Sequence, residues 1–150
     1  MKSITCRIGC TTALAVLLVG VIAQSSALES AAVTSDDLKW VQLPNGLSRA
    51  GLAGDDKQSG IYAFRVKFPA NFRLQPHFHP DDRIVTVISG TMYIGYGEQF
   101  DESKITRLPA GSIYTEPAKL PHFNWAKDGE VVVQIIGNGP TGTTPVKPKP

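Results

Sequence analysis

An all-β sandwich or barrel is the fold class this 150-residue sequence predicts, and three features predict it. Short stretches alternating apolar and polar side chains recur along most of the chain. Turn-forming Gly, Pro, Asn and Asp clusters separate them every few residues. No segment carries a sustained helical period. The length fits one domain.

The N-terminus is set apart from this pattern. Lys2 and Arg7 precede an apolar run over residues 12–23, and Ser25-Ser26-Ala27 supplies the small residues of a cleavage site. Residues 1–27 therefore read as a secretory signal peptide, too short in its apolar core to span a bilayer comfortably. Periplasmic or secreted localisation follows as an expectation, with no membrane association after cleavage. Cys6 and Cys10 both lie in this segment, so the mature chain has no cysteine and relies on core packing, with or without a metal, rather than on disulfides. The whole chain has 15 Lys and Arg against 13 Asp and Glu, and excision of Lys2 and Arg7 leaves 13 of each. A neutral protein with scattered cations gives no basis for nucleic-acid binding.

Residues 28–37 are small and polar and read as a flexible leader, and the domain proper is expected over 38–137. Residues 38–43 (LKWVQL) alternate as a first strand, ended by Pro44-Asn45-Gly46, and residues 47–53 form a second. In residues 60–68 (GIYAFRVKF), Tyr62, Phe64, Val66 and Phe68 fall on one face and Ile61, Ala63, Arg65 and Lys67 on the other. Residues 72–78 continue the series. Residues 83–88 and 91–96, joined through Ser89-Gly90, read as a hairpin. Residues 97–103 form a polar loop, and strands follow over 104–108, 112–116, 120–125 and 130–136. The Pro- and Gly-rich residues 138–150 are expected to be an irregular tail.

Chemistry concentrates in the stretch PHFHPDDRIVTVISG, residues 76–90. The chain has three histidines. His77 and His79 stand at i and i+2, so an extended backbone projects both to one side. The third, His122, follows a later strand-like segment. Neutral imidazole is a good ligand for Fe, Mn, Ni, Cu or Zn.

These residues resemble the cupin superfamily, the RmlC-like jelly-roll barrels, and within it the small single-domain proteins of the cupin 2 type. The first cupin motif, G(X)5HXH(X)3-4E(X)6G, is matched at His77, His79 and Gly90, with Asn71 at the first Gly and Arg83 at the Glu. The second resembles Pro109-Ala110-Gly111 followed by a strand, Pro117 and Pro121-His122, with Ala126 at the usual Asn. The resemblance implies a double-stranded β-helix (jelly-roll barrel) and a divalent transition metal held by His77, His79 and His122. It also implies that edge strands, here residues 38–53, can pair two copies into a homodimer.

Arg83 is the main departure, because a guanidinium has no lone pair and cannot replace a carboxylate ligand. Three ligands are therefore expected. Glu116, six residues before His122, is the first candidate to complete the set or to transfer protons, with Asp81 and Asp82 behind it. Arg83 either holds an anionic substrate near the metal or pairs with Asp82 or Glu116, and Asp81 and Asp82 read as a solvated pair. Tyr93, Tyr96, Phe123 and Trp125 are aromatic candidates for a pocket lining, with barrel core as their commoner fate.

The functional expectation is a secreted metal-dependent enzyme, dioxygenase-like, acting on a small organic molecule at a three-His site with Glu116 and Arg83 as catalytic candidates. The alternatives are a non-catalytic metal or small-ligand binding or sensor module, and a cupin isomerase or lyase.

Overall fold

The computed structural model describes residues 27–147; the expected signal peptide lies, but for Ala27, outside the described residues. Eleven strands are present among them: β1 (Val41–Gln42), β2 (Ser48–Ala53), β3 (Gly60–Phe68), β4 (Arg73–Phe78), β5 (Arg83–Ser89), β6 (Thr91–Tyr96), β7 (Thr106–Pro109), β8 (Ile113–Glu116), β9 (His122–Trp125), β10 (Val131–Gly139) and β11 (Thr144–Pro145). They form two antiparallel sheets, ordered β1-β2-β3-β10-β5-β8 and β11-β4-β9-β6-β7. No helix among the described residues is long and apolar enough to cross a membrane.

The period-two pattern of β3 behaves as read. Tyr62, Phe64, Val66 and Phe68 are buried, while Ile61 on the other face is exposed. They join Val85 and Val87 of β5 and Val131, Val133 and Ile135 of β10 in a core completed by Met92 and Ile94 of β6. Burying such side chains is each worth about 1.5–3 kcal/mol.

The hairpin expected across Ser89-Gly90 does not form. β5 pairs with β10 and β8, whereas β6 pairs with β7 and β9. Gly90, at φ +78°, turns the chain from one sheet into the other, and a Cβ there would sit 2.3 Å from the Glu130 carbonyl oxygen. A two-residue glycine turn serves a hairpin and an inter-sheet corner equally well, so the local signal does not separate them.

The tail also differs from expectation. β10 continues to Gly139, and after Pro140 the chain crosses to the other sheet, where β11 pairs with β4 at Thr144↔Phe78 and Pro145↔His77. The leader contains a short 3-10 turn at Ser35–Asp37 and is exposed there. The first strand shrinks to two residues, at the outer edge of its sheet.

Candidate metal centre

β4 and β9 are hydrogen-bonded neighbours, and their register sets His77 opposite His122. His79 lies one residue beyond the end of β4 and still faces the same way. The ring centroids are 4.4 Å apart for His77 and His122, 4.9 Å for His77 and His79, and 5.0 Å for His79 and His122. One nitrogen from each ring lies within 4.8 Å of the other two. The sequence placed these three together, and the fold does bring them to one point.

Their chemistry is set from behind. Each Nδ1 meets a backbone carbonyl: Gln75 at 2.8 Å for His77, Gly142 at 2.7 Å for His79 and Leu120 at 3.0 Å for His122. A carbonyl only accepts, so Nδ1 carries the proton and Nε2 keeps its lone pair for the interior. Burial lowers His77 to about 4, helped by His122. Burial likewise lowers His79 to about 4, helped by the Arg83 cation. Both rings are thus neutral at ordinary pH. His122 is fully buried, and its Nε2 has no hydrogen-bond partner. An inward-facing, unpartnered nitrogen among neutral imidazoles fits a transition-metal ion.

The opposite sheet supplies charge. Arg83 on β5 is register-paired with Glu116 on β8, and both are buried. Arg83 Nη1 lies 3.6 Å from Glu116 Oε2 and Arg83 Nε 3.6 Å from Asp81 Oδ1. Arg83 therefore stands between two carboxylates at ion-pair distance, while its buried Nε makes no hydrogen bond. Its partners are Asp81 and Glu116 rather than Asp82. The expectation of a solvated Asp81–Asp82 pair holds only for Asp82, whose carboxylate accepts from the Ala118 N–H. The Asp81 side chain is only 7% exposed and accepts from Tyr62 Oη at 2.5 Å. Burial, then that bond, raises Tyr62 to about 12.

Glu116 reaches toward the histidines, with Oε2 at 3.4 Å from His79 Nε2 and Oε1 at 3.4 Å from His122 Nε2. Burial pulls its pKa upward, but the His122 contact, followed by His79 and Arg83, outweighs burial and leaves the carboxyl below its ordinary value.

A cavity of about 310 Å³ opens beside this cluster. Leu47, Phe64, Val66, Phe68 and Leu74 form apolar walls; His77, His79, Arg83 and Glu116 line it, and Arg49 and Asp56, ion-paired at 2.9 Å, also border it. Tyr114 and Asn124, hydrogen-bonded at 3.2 Å, line it as well. Tyr93, Tyr96, Phe123 and Trp125 are not among the lining residues; Phe123 and Trp125 pack against Phe100 instead.

Asn71, at the motif's first Gly, has φ 61°. The backbone is left-handed there, and Asn is among the few residues that tolerate it. Its side-chain oxygen accepts from Trp125 Nε1 at 3.1 Å. Sequence reasoning ranked Asp81 behind Glu116 as a site carboxylate and favoured a solvated reading, although its i, i+2 relation to Arg83 was a usable signal. It missed Tyr114, Asn124, Thr141 and Gly142, the last two lying in a segment without periodicity.

Two antiparallel sheets enclosing inward-facing histidines from the two motifs define a cupin barrel. Residues 28–140 match the model of the ChrR cupin-like domain. The chain belongs to that family. Among solved structures, it is similar to the polyketide cyclase RemF from Streptomyces resistomycificus, with 17% identity over 81% of this chain and 88% of that one at a TM-score of 0.65. An RmlC-like cupin from Shewanella frigidimarina gives 15% identity, 75% and 94% coverage and a TM-score of 0.60. The Rhodobacter sphaeroides complex of SigE with the anti-sigma ChrR gives 20% identity and a TM-score of 0.54, the match covering 70% of this chain and 52% of that one. These likenesses establish the fold. No curated protein matches the sequence.

Proposed function

We propose that this chain is an exported metal-dependent enzyme of the oxygenase type, acting on a small organic molecule. The observation that carries the proposal is the convergence of three buried imidazoles, each with Nδ1 tied to a carbonyl, beside a cavity of about 310 Å³. His77, His79 and His122 hold one divalent transition metal, Fe, Mn, Ni, Cu or Zn, through Nε2. When bound, such a metal supplies Lewis acidity and, if redox-active, reactivity toward dioxygen. The apolar walls receive the body of the substrate and exclude water from its reacting end. Glu116, kept ionised, accepts a proton or a hydrogen bond from the substrate. Arg83 acts as a positioning residue, ion-paired with Asp81 and Glu116 at 3.6 Å and hydrogen-bonded through Nη2 to Thr141.

A second reading is favoured by the family itself, one of whose structural neighbours is the SigE–ChrR complex. It is a sensor or carrier module that binds metal or ligand without turnover. Elemental analysis of protein purified from its native compartment, with oxygen-uptake assays on small organic molecules, separates the two. A redox-active metal with oxygen uptake, both lost in the triple variant H77A/H79A/H122A, is expected. Zinc alone with no turnover overturns the oxygenase reading. Mass determination of the mature N-terminus, expected after Ala27, tests export.

A further inference from the structure

The three histidines are not held alike. His77 and His122 each direct Nδ1 to the carbonyl two residues earlier in their own segment, at Gln75 and Leu120. His79 takes the Gly142 carbonyl, 63 residues away in sequence. Thr143 Oγ1 lies 3.4 Å from the same nitrogen.

Gly142 belongs to the segment that crosses from β10 to β11, and the segment is fastened along its length. The Thr141 N–H donates to the Asp56 carbonyl at 2.8 Å, and the Val146 N–H to the Pro76 carbonyl at 2.9 Å. Thr144 and Pro145 pair with Phe78 and His77. The Thr141 hydroxyl donates to Asp81 Oδ1 and accepts from Arg83 Nη2, which also reaches the Gly142 carbonyl at 3.4 Å. Thr141, Gly142 and Thr143 all line the cavity. One crossing segment therefore touches a histidine of one sheet and the Arg83–Asp81 pair of the other.

We propose that residues 140–146 form a strap that positions the metal centre, with Thr141 and Gly142 as its positioning residues. The Gly142 carbonyl fixes the tautomer and ring direction of His79. The Thr141 hydroxyl ties Asp81 to Arg83 and so holds the guanidinium where it faces Glu116. The inference rests on the three-His metal reading for its effect on affinity, but its hold on His79 is a property of the metal-free protein as well.

The test uses Thr141→Val, which keeps shape and removes the hydroxyl, and Thr141→Ser, which restores it, both in the full chain. Titration with Co²⁺, read by its visible absorption, is expected to show binding about 10–100-fold weaker in Thr141→Val, the range typical of partners that orient ligands. Altered band shape and recovery in Thr141→Ser are expected with it. In metal-free protein, nitrogen NMR of the imidazoles is expected to show His79 as a single Nδ1–H tautomer, mixed in Thr141→Val, with His77 and His122 unchanged. Wild-type affinity, spectrum and His79 tautomer in a folded Thr141→Val overturn the strap. Absence of Co²⁺ binding in the wild type, with the tautomer shift still present, overturns the metal reading and upholds the strap's grip on His79.

Discussion

The two sheets contribute opposite kinds of chemistry to one cavity. The sheet containing β4 and β9 brings His77 and His122 directly opposite one another, with His79 just beyond, all as nitrogen donors tied to carbonyls. The sheet containing β5 and β8 brings Arg83 opposite Glu116, an ionised pair with no ligand-quality nitrogen. The difference explains how the chain tolerates Arg at the motif's Glu position. A carboxylate reaches the histidines from the adjacent strand instead, at Glu116, and the guanidinium lies between Glu116 and Asp81. Two of the three nitrogen donors, His77 and His122, are thus set in position by carbonyls of their own segments, whereas His79 and the charged pair depend on contacts between segments distant in sequence.

The largest expected effect tests the neutral half of this contrast. His77 and His79 titrate near 4 in the fold against an ordinary value of 6.5. The unfolded chain therefore takes up protons over that window while the folded chain does not. Stability of the metal-free protein should be fully present above pH 6.5 and fall as pH drops toward 4, by on the order of 1.4 kcal/mol per pH unit for each ring. Urea unfolding across this range measures it, and a flat profile would dissolve the distinction between donor and charge sheets. Metal should accordingly be retained well below pH 6.5.

The charged half is tested by Arg83→Met. The change leaves two buried carboxylates without their cation and is expected to cost about 3–5 kcal/mol in denaturant unfolding. Adding Glu116→Gln should recover part of that loss, which a purely steric role for Arg83 would not allow. The smallest effect on the site comes from Met92→Ala, in the apolar core away from both clusters. It should cost about 2–5 kcal/mol of stability yet leave Co²⁺ affinity as in the wild type. A change in affinity there would mean that the site and the core are not separable.

Several parts of this arrangement were legible beforehand. Period-two alternation in residues 60–68 gave the buried face of β3, because burial on one side of a pleated strand leaves its mark on every second residue. The i, i+2 spacing of His77 and His79 gave their shared direction for the same reason. The route of the chain at Ser89-Gly90 was not legible, since a corner between sheets and a hairpin ask for the same glycine. Neither was the ordered crossing at residues 140–146, whose hydrogen bonds are made mostly by backbone N–H and carbonyl groups, with the Thr141 and Thr143 hydroxyls, and leave no pattern in side-chain type.

The sequence by itself determined the strand class, the cupin motifs and the shared direction of His77 and His79, because these depend on local periodicity and on residue chemistry at fixed spacing; that His122 joins them was implied by the family resemblance. Only the tertiary structure decided that Arg83 is spent on Asp81 and Glu116, that Asp81 is buried, and that His79 leans on Gly142. Those outcomes depend on which strands lie side by side and where the chain crosses between sheets, and such long-range proximity is a property of the packed whole rather than of any stretch of it.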